Sequence, residues 1–358
     1  MRIFRCQACG QRLDFENTSC EQCLRVLGFL PELGILTALD PIDGRHWRAL
    51  ALGPLATPLR FCANANHDAC NWLVADGVPG GFCAACKLNR TIPNLSVPTN
   101  VQRWQRLEGP KHRLVDGLLR LGLKLPSQHE DPEAGLAFDF LGEDTPWLKP
   151  EEVILTGYAN GVIVMGLAEA DAEVRERQRQ ELGESYRTLL GHFRHEVGHY
   201  YWDRLILGTP WQERFRECFG DEQRDYDSAL AAHRADGPPL DWRDQFVSAY
   251  ASAHPREDWA ETWAHYLHLV DTTETAHALG IRIGPEPGFQ GAGESVENPY
   301  TADFETMVLG WMALTYAANS LSRSMGQPDL YPFVLSDRVI QKLRFVHELV
   351  RENSELPR

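Results

Sequence analysis

His195, Glu196 and His199 carry the chemistry that is easiest to read from this chain. They stand in the run His192-Phe193-Arg194-His195-Glu196-Val197-Gly198-His199-Tyr200-Tyr201-Trp202-Asp203. On a helix, residues four apart share one face, so the imidazoles of His195 and His199 can reach the same cation. A glutamate directly after the first histidine can reach a water at that cation and take its proton. The pattern is H-E-x-x-H, and it suits Zn2+. Its plainer reading is an amphipathic helix with two solvated histidines. A third ligand separates the two readings, because a catalytic zinc has three protein ligands and one open position. The flanks predict helix: Tyr186–Leu190 leads in, and Gly208 and Pro210 follow Leu205-Ile206-Leu207 as a stop. His192 reads as a polar cap on the same face or as part of the site's lining.

The best source of a third ligand is the stretch Glu257-Asp258-Trp259-Ala260-Glu261-Thr262-Trp263-Ala264-His265. Glu257, Glu261 and His265 follow one another at steps of four and share a helical face. Trp259, Trp263 and Leu267 are its expected buried stripe. The pair Glu257 and Glu261 resembles that of the gluzincin peptidases, of which thermolysin is the best known. Those enzymes take the third ligand from a second helix, and an acidic residue four positions later orients a ligand histidine. The resemblance implies Glu257 as ligand and Glu261 as the carboxylate that a zinc-bound histidine normally has behind it. The reverse, with Glu261 on the metal and His265 behind it, stays open. Several gluzincins place a tyrosine or histidine a little before the third ligand to hold the oxyanion of the tetrahedral intermediate. Tyr250, seven residues before Glu257, is the candidate here, with simple packing as the alternative. Asp203, one more turn along the His195 and His199 face, could be a ligand as in aspartate-type zincins; with Glu257 available it reads as a partner behind the ligands or as a surface charge.

Eight of the nine cysteines precede residue 87. Cys6-x-x-Cys9 and Cys20-x-x-Cys23 form two knuckles, followed by Cys62, Cys70 and Cys83-x-x-Cys86. Paired C-x-x-C units are a zinc-ribbon signal, since four thiolates complete a tetrahedral site. We group Cys6, Cys9, Cys20 and Cys23 as one site, and Cys62, Cys70, Cys83 and Cys86 as the other. An interleaved pairing stays open, as does replacement of one thiolate by His67. Cys218 is left as a free thiol. Disulfides fit poorly, because the N-terminus runs straight into the cysteine motif with no apolar signal region. No run of eighteen apolar residues is present, so no membrane-spanning helix is expected. These features predict a cytoplasmic protein.

Charge bears on partners. The chain has 358 residues and a formal charge of −15, with 35 Lys+Arg against 50 Asp+Glu. Residues 1–100 hold nine basic and eight acidic side chains, so all the excess acid lies beyond them. Nucleic-acid binding needs a basic face to neutralise phosphates, and four-thiolate zinc centres add further negative charge. Nucleic acid is therefore disfavoured as a partner. A protein partner at the ribbon, or a purely structural role for it, fits better.

The elements around these motifs can be placed coarsely. Trp47–Leu50 and the run Gly53–Pro58 read as a connector between two cysteine modules. Thr91–Thr99, punctuated by prolines, marks a boundary. Residues 100–122 have helical spacing interrupted at Gly109-Pro110, and Pro126–Pro150 is loop-rich. Val153–Tyr158 and Val162–Leu167 flank Asn160-Gly161, which predicts a tight hairpin. Such a hairpin is a candidate edge strand for an extended peptide, or simply part of a sheet. Glu169–Gln180 predicts an exposed charged helix, and residues 209–249 an acidic, aromatic-rich insertion walling the cleft. Gly280–Pro299 reads as a loop. Phe304–Ser322 and Val339–Val350 predict the last helices.

Three stretches together carry a wider resemblance. They are Phe61-Cys62-Ala63-Asn64 with Cys70-Asn71-Trp72-Leu73, Tyr186 through Glu196, and Glu257-Asp258-Trp259-Ala260-Glu261. The chain resembles the bacterial zinc-binding metallopeptidases that carry an N-terminal zinc ribbon. The resemblance implies a cytoplasmic gluzincin-type peptidase acting on peptide or protein substrates. The expected fold is α+β: a double zinc-ribbon module over residues 1–95, then a mainly helical metallopeptidase domain with a small β-hairpin or sheet over residues 96–358. The expected cofactors are one catalytic and two structural zinc ions, with Glu196 as general base. The competing reading is a zinc-scaffolded adaptor whose peptidase half is regulated or inactive. A general base beside the metal separates the two, since a scaffold has no use for one.

Overall fold

In the computed structural model, which describes residues 2–145, 154, 156–181, 187–284 and 296–356, the cysteine-rich end is built on a meander. After β1 (Phe4–Arg5) and β2 (Arg12–Leu13) pair, five antiparallel strands follow in sheet order. They are β3 (Leu27–Leu30), β4 (Ile35–Pro41), β5 (Trp47–Ala49), β6 (Leu59–Phe61) and β7 (Leu73–Ala75). Phe29 N–H donates to Asn71 O and Phe29 bridges Trp72, so the sheet curls back until β3 meets the chain entering β7. Leu30, Leu39, Ala49, Leu59 and Leu73 form the cluster inside. Trp47–Ala49, expected as connector, is instead the central strand of this sheet. Trp47 pairs with Leu59 and sets its ring against Phe61, with centroids 5.8 Å apart. A three-residue strand is too short for alternation to show in sequence.

A second sheet has the order β10-β11-β9-β8, from β8 (Asn89–Thr91), β9 (Ala137–Leu141), β10 (Gly157–Ala159) and β11 (Val162–Gly166). The expected hairpin is present as β10 and β11. Its turn residues Asn160 (φ 48°) and Gly161 (φ 80°) are both left-handed, as a tight two-residue hairpin turn requires. Val153 and Leu155 of the predicted first strand lie outside the described residues. Between β8 and β9 runs α1 (Pro98–Arg120), continuous through Pro110, where the sequence predicted an interruption. Proline removes one backbone hydrogen bond and costs about 3 kcal/mol inside a helix. Burial of Trp104, Leu107, Leu114, Val115 and Leu118 outweighs this at about 1.5–3 kcal/mol for each large apolar side chain.

Arg2–Arg120 with Leu125–Val174 form one compact unit, while Leu121–Lys124 and the chain from Arg175 onward form the other. The hairpin and the histidine helix thus belong to different units. α2 (Ala172–Glu181) runs from the first unit into the second. The second unit is mainly helical, and the chain as a whole is α+β. Its helices are α3 (Leu189–Leu205), α4 (Trp211–Phe219), α5 (Tyr226–Asp236), α6 (Trp242–Gln245), α7 (Pro255–Leu279), α8 (Phe304–Ser324) and α9 (Asp337–Glu352). The helical lead-in expected over Tyr186–Leu190 is not helical at Arg187 and Thr188; α3 begins at Leu189, capped by Thr188 Oγ1, which accepts from Gly191 N–H; Tyr186 lies outside the described residues. Trp259, Trp263 and Tyr266 on α7 are fully buried. The segment expected as an insertion supplies core as well: Phe215 and Phe219 of α4 pack on Trp259. Among the described residues no helix is long and apolar enough to cross a membrane.

One buried ion pair ties α9 to α7. Lys342 Nζ lies 2.6 Å from Asp258 Oδ2, and both side chains are almost fully buried. Burial pushes the Asp258 carboxyl up to about 7 against the pull of Lys342. Removing one partner of such a pair strands a charge and costs about 3–5 kcal/mol. Lys342→Met should therefore lower unfolding stability by about that much in urea titration, and adding Asp258→Leu should recover most of it. A Lys342→Met variant as stable as the parent would contradict this role.

Candidate metal centre

α3 and α7 meet at Gly198. A Cβ there would sit 3.1 Å from Ala260 Cα and 3.2 Å from Trp263 Cβ, so any side chain would push the two helices apart by a few tenths of an ångström, and glycine permits the close approach. Trp259 Nε1 donates to Gly198 O at 2.8 Å and pins the crossing. The four-residue spacing on each helix then turns His195 and His199 toward Glu257. His195 Nε2 lies 3.2 Å from Glu257 Oε2, and His199 Nε2 lies 3.4 Å from Oε1. One ligand atom from each of the three residues lies within 4.8 Å of the other two. Glu257 is 1% exposed, and its Oε2 is buried with no hydrogen-bond partner. Two imidazole nitrogens and a carboxylate oxygen, one of them unsatisfied, form a donor set that fits zinc.

A second layer holds these groups. His195 Nδ1 lies 2.8 Å from Glu261 Oε1, whose other oxygen accepts from Ser248 Oγ at 2.6 Å. Tyr226 donates its hydroxyl to Glu257 Oε1 at 2.5 Å. Glu196 is buried, with Oε1 3.5 Å from His192 Nε2. The Tyr250 ring stands 6.0 Å from that of His195. Asp203 accepts from Arg256, the residue before Glu257, at 2.9 Å. His265, the other candidate partner, has Nδ1 2.5 Å from the Tyr331 hydroxyl.

Burial and charge set the protonation states. Burial disfavours the charged form of His195, yet the carboxylates of Glu257 and Glu261 outweigh it and hold its pKa well above the ordinary value, so a metal at Nε2 would have to displace a proton there. Burial lowers His199 to about 4, leaving the neutral imidazole that metal ligation requires. Glu257 stays below the usual carboxylate range in spite of burial, because His199, His195 and the Tyr226 hydroxyl favour its anion. Glu261 is likewise held at about 2, against burial, by its bond to His195. Burial and then Glu257 push the hydroxyls of Tyr226 and Tyr250 up, so both keep their protons.

The cysteines gather as Cys6, Cys9, Cys20, Cys23 and as Cys62, Cys70, Cys83, Cys86, each group with its sulfurs within 4.8 Å of one another. All nine are free thiols, which leaves eight sulfurs available to metal. His67 is not in either group; its carbonyl accepts from Gln105. A different histidine approaches the second group: His112 Nε2 lies 3.5 Å from Cys86 Sγ, with Nδ1 on Glu108 O at 2.7 Å. Sequence reasoning did not find His112, Tyr226 or Ser248. None shares a period with the cysteine or carboxylate it meets, and only chain closure over 13 to 31 positions brings them there.

Residues 100–349 match the family described as "Putative zinc-binding metallo-peptidase", and residues 3–97 match a zinc-ribbon domain. The chain belongs to that metallopeptidase family and carries an N-terminal zinc ribbon. An uncharacterized protein of Mycobacterium bovis and another of Mycobacterium tuberculosis are each 41% identical to it over 356 residues, which is 98% of this chain and 96% of theirs. No solved structure matches it.

The glycine crossing is open to a direct check. Gly198→Val forces side-chain atoms against Ala260 Cα, and overpacking of this kind costs about 1–3 kcal/mol. Thermal unfolding should show that loss; an unchanged or raised Tm would mean that α3 and α7 are not held this close.

Proposed function

We propose that this chain is a gluzincin-type zinc peptidase that hydrolyses peptide bonds in peptide or protein substrates, with zinc held by His195, His199 and Glu257. The observation that carries the reading is the convergence of those three side chains, with the buried Glu196 directly after His195 on α3. The family description supports the same class of reaction. Zinc in such a site supplies Lewis-acid activation of a water and of the scissile carbonyl. The Glu196 carboxylate takes the proton of the attacking water and passes it to the nitrogen of the leaving amine. Glu261 Oε1 holds the proton on His195 Nδ1, which fixes the tautomer and turns Nε2 toward the metal. Tyr250 keeps its hydroxyl proton and offers it to the developing oxyanion. The two cysteine groups hold structural zinc, and metal binding there contributes folding energy to the N-terminal unit.

Replacing Glu196 with Gln removes the base and keeps the volume. The variant should retain the zinc content of the parent while kcat/KM on a cleaved peptide falls about 100- to 10,000-fold. Undiminished cleavage by Glu196→Gln would reject the mechanism.

A further inference from the structure

Glu257 and Glu261 stand one turn apart on α7, and each has one oxygen held by a hydroxyl from the segment between α3 and α7. Tyr226, at the start of α5, donates to Glu257 Oε1 at 2.5 Å. Ser248, just before the turn Tyr250–Ala253, donates to Glu261 Oε2 at 2.6 Å. In both carboxylates the other oxygen faces His195. Glu257 Oε2 lies 3.2 Å from His195 Nε2 and accepts no hydrogen bond, and Glu261 Oε1 lies 2.8 Å from His195 Nδ1.

Both hydroxyls are themselves positioned. Asp225 caps α5 by accepting from Ser228 N–H, which fixes the helix that carries Tyr226. Ser248 Oγ accepts from Ala251 N–H at 3.1 Å, which ties it to the turn that carries Tyr250. The Tyr226 ring also packs edge-on to His254, the residue that caps α7. The segment is thus anchored to the helix it orients at three neighbouring points.

We propose that Tyr226 and Ser248 are positioning residues that lock the two carboxylates of α7, so that Glu257 turns its unbonded Oε2 to the metal and Glu261 turns Oε1 to His195. A free carboxylate rotates and can bind a cation through either oxygen or both. With one oxygen held by a hydroxyl, each carboxylate is fixed in direction: Glu257 keeps Oε1 near His199 Nε2 at 3.4 Å and turns its unbonded Oε2 to His195, and Glu261 turns Oε1 to His195. The cost of ordering the donor set is then met when the chain folds instead of when zinc binds, which raises affinity. Loss of a partner behind a metal ligand typically weakens binding 10- to 100-fold.

This inference rests on the zinc reading of His195, His199 and Glu257, and the test separates the two. Zinc affinity is measured on the full chain by competition with a chromophoric chelator for the parent, Tyr226→Phe, Ser248→Ala, Ser248→Thr and His195→Ala with His199→Ala. The double histidine variant should lose one zinc per chain relative to the parent. Tyr226→Phe and Ser248→Ala should each bind that zinc 10- to 100-fold more weakly, with the melting temperatures of their zinc-free forms within a few degrees of the parent. Ser248→Thr, which keeps the hydroxyl, should restore most of the affinity. If the double histidine variant loses a zinc while Tyr226→Phe and Ser248→Ala bind it like the parent, the lock is wrong and the metal site stands. Failure of Ser248→Thr to recover affinity would likewise overturn the lock. If the double histidine variant binds as much zinc as the parent, the metal reading itself fails and the lock with it.

Discussion

The contact between α3 and α7 at Gly198 is the constraint on which the site depends. Where a side chain would separate the helices, a hydrogen atom lets Ala260 and Trp263 close in, and the Trp259 indole hydrogen-bonds to the Gly198 carbonyl. The rise of a helix is fixed, so this one fixed crossing determines which residues face each other a turn away. His195 and His199 flank Gly198 on α3, and Glu257 and Glu261 flank Ala260 on α7. Tyr201 stacked on Trp263 at 4.8 Å keeps the two helices from sliding.

The start of α7 sets the phase of the second helix. His254 is extended, its Nδ1 accepts from Arg256 N–H, and Pro255 takes the first helical position, where its missing N–H is no loss. Glu257 therefore falls in the first turn, where unpaired backbone N–H groups and the helix dipole favour a negative charge. That favourable end helps explain how a carboxylate 1% exposed remains ionised. The same logic operates at the second cysteine group, where the buried imidazole of His112 stands against Cys86. At both places a potential metal ligand is backed by a buried polar neighbour instead of by solvent.

Local spacing was what the sequence made legible. H-E-x-x-H, the glutamate pair on α7, the grouping of cysteines and the Asn160-Gly161 hairpin each depend on residues close in the chain, and their geometry follows from helix or turn periodicity. Trp47–Ala49 reads as linker because three residues cannot display alternation and a Gly/Pro run follows. Pro110 suggests a break in α1 because the propensity of proline is a local signal, while the apolar face that overrides it is buried only after packing. Tyr226, Ser248 and His112 were invisible for a different reason. A tyrosine or serine hydroxyl carries no periodic signature, and its role is defined by the carboxylate it meets after the chain has closed.

Zinc-edge anomalous diffraction from crystals of the intact chain locates the metal without reference to activity. An anomalous peak is expected about 2.0–2.2 Å from His195 Nε2, His199 Nε2 and Glu257 Oε2 together. A zinc-loaded crystal with no peak between those side chains, or with Glu257 turned away from one bound by the two histidines, would contradict this zinc site.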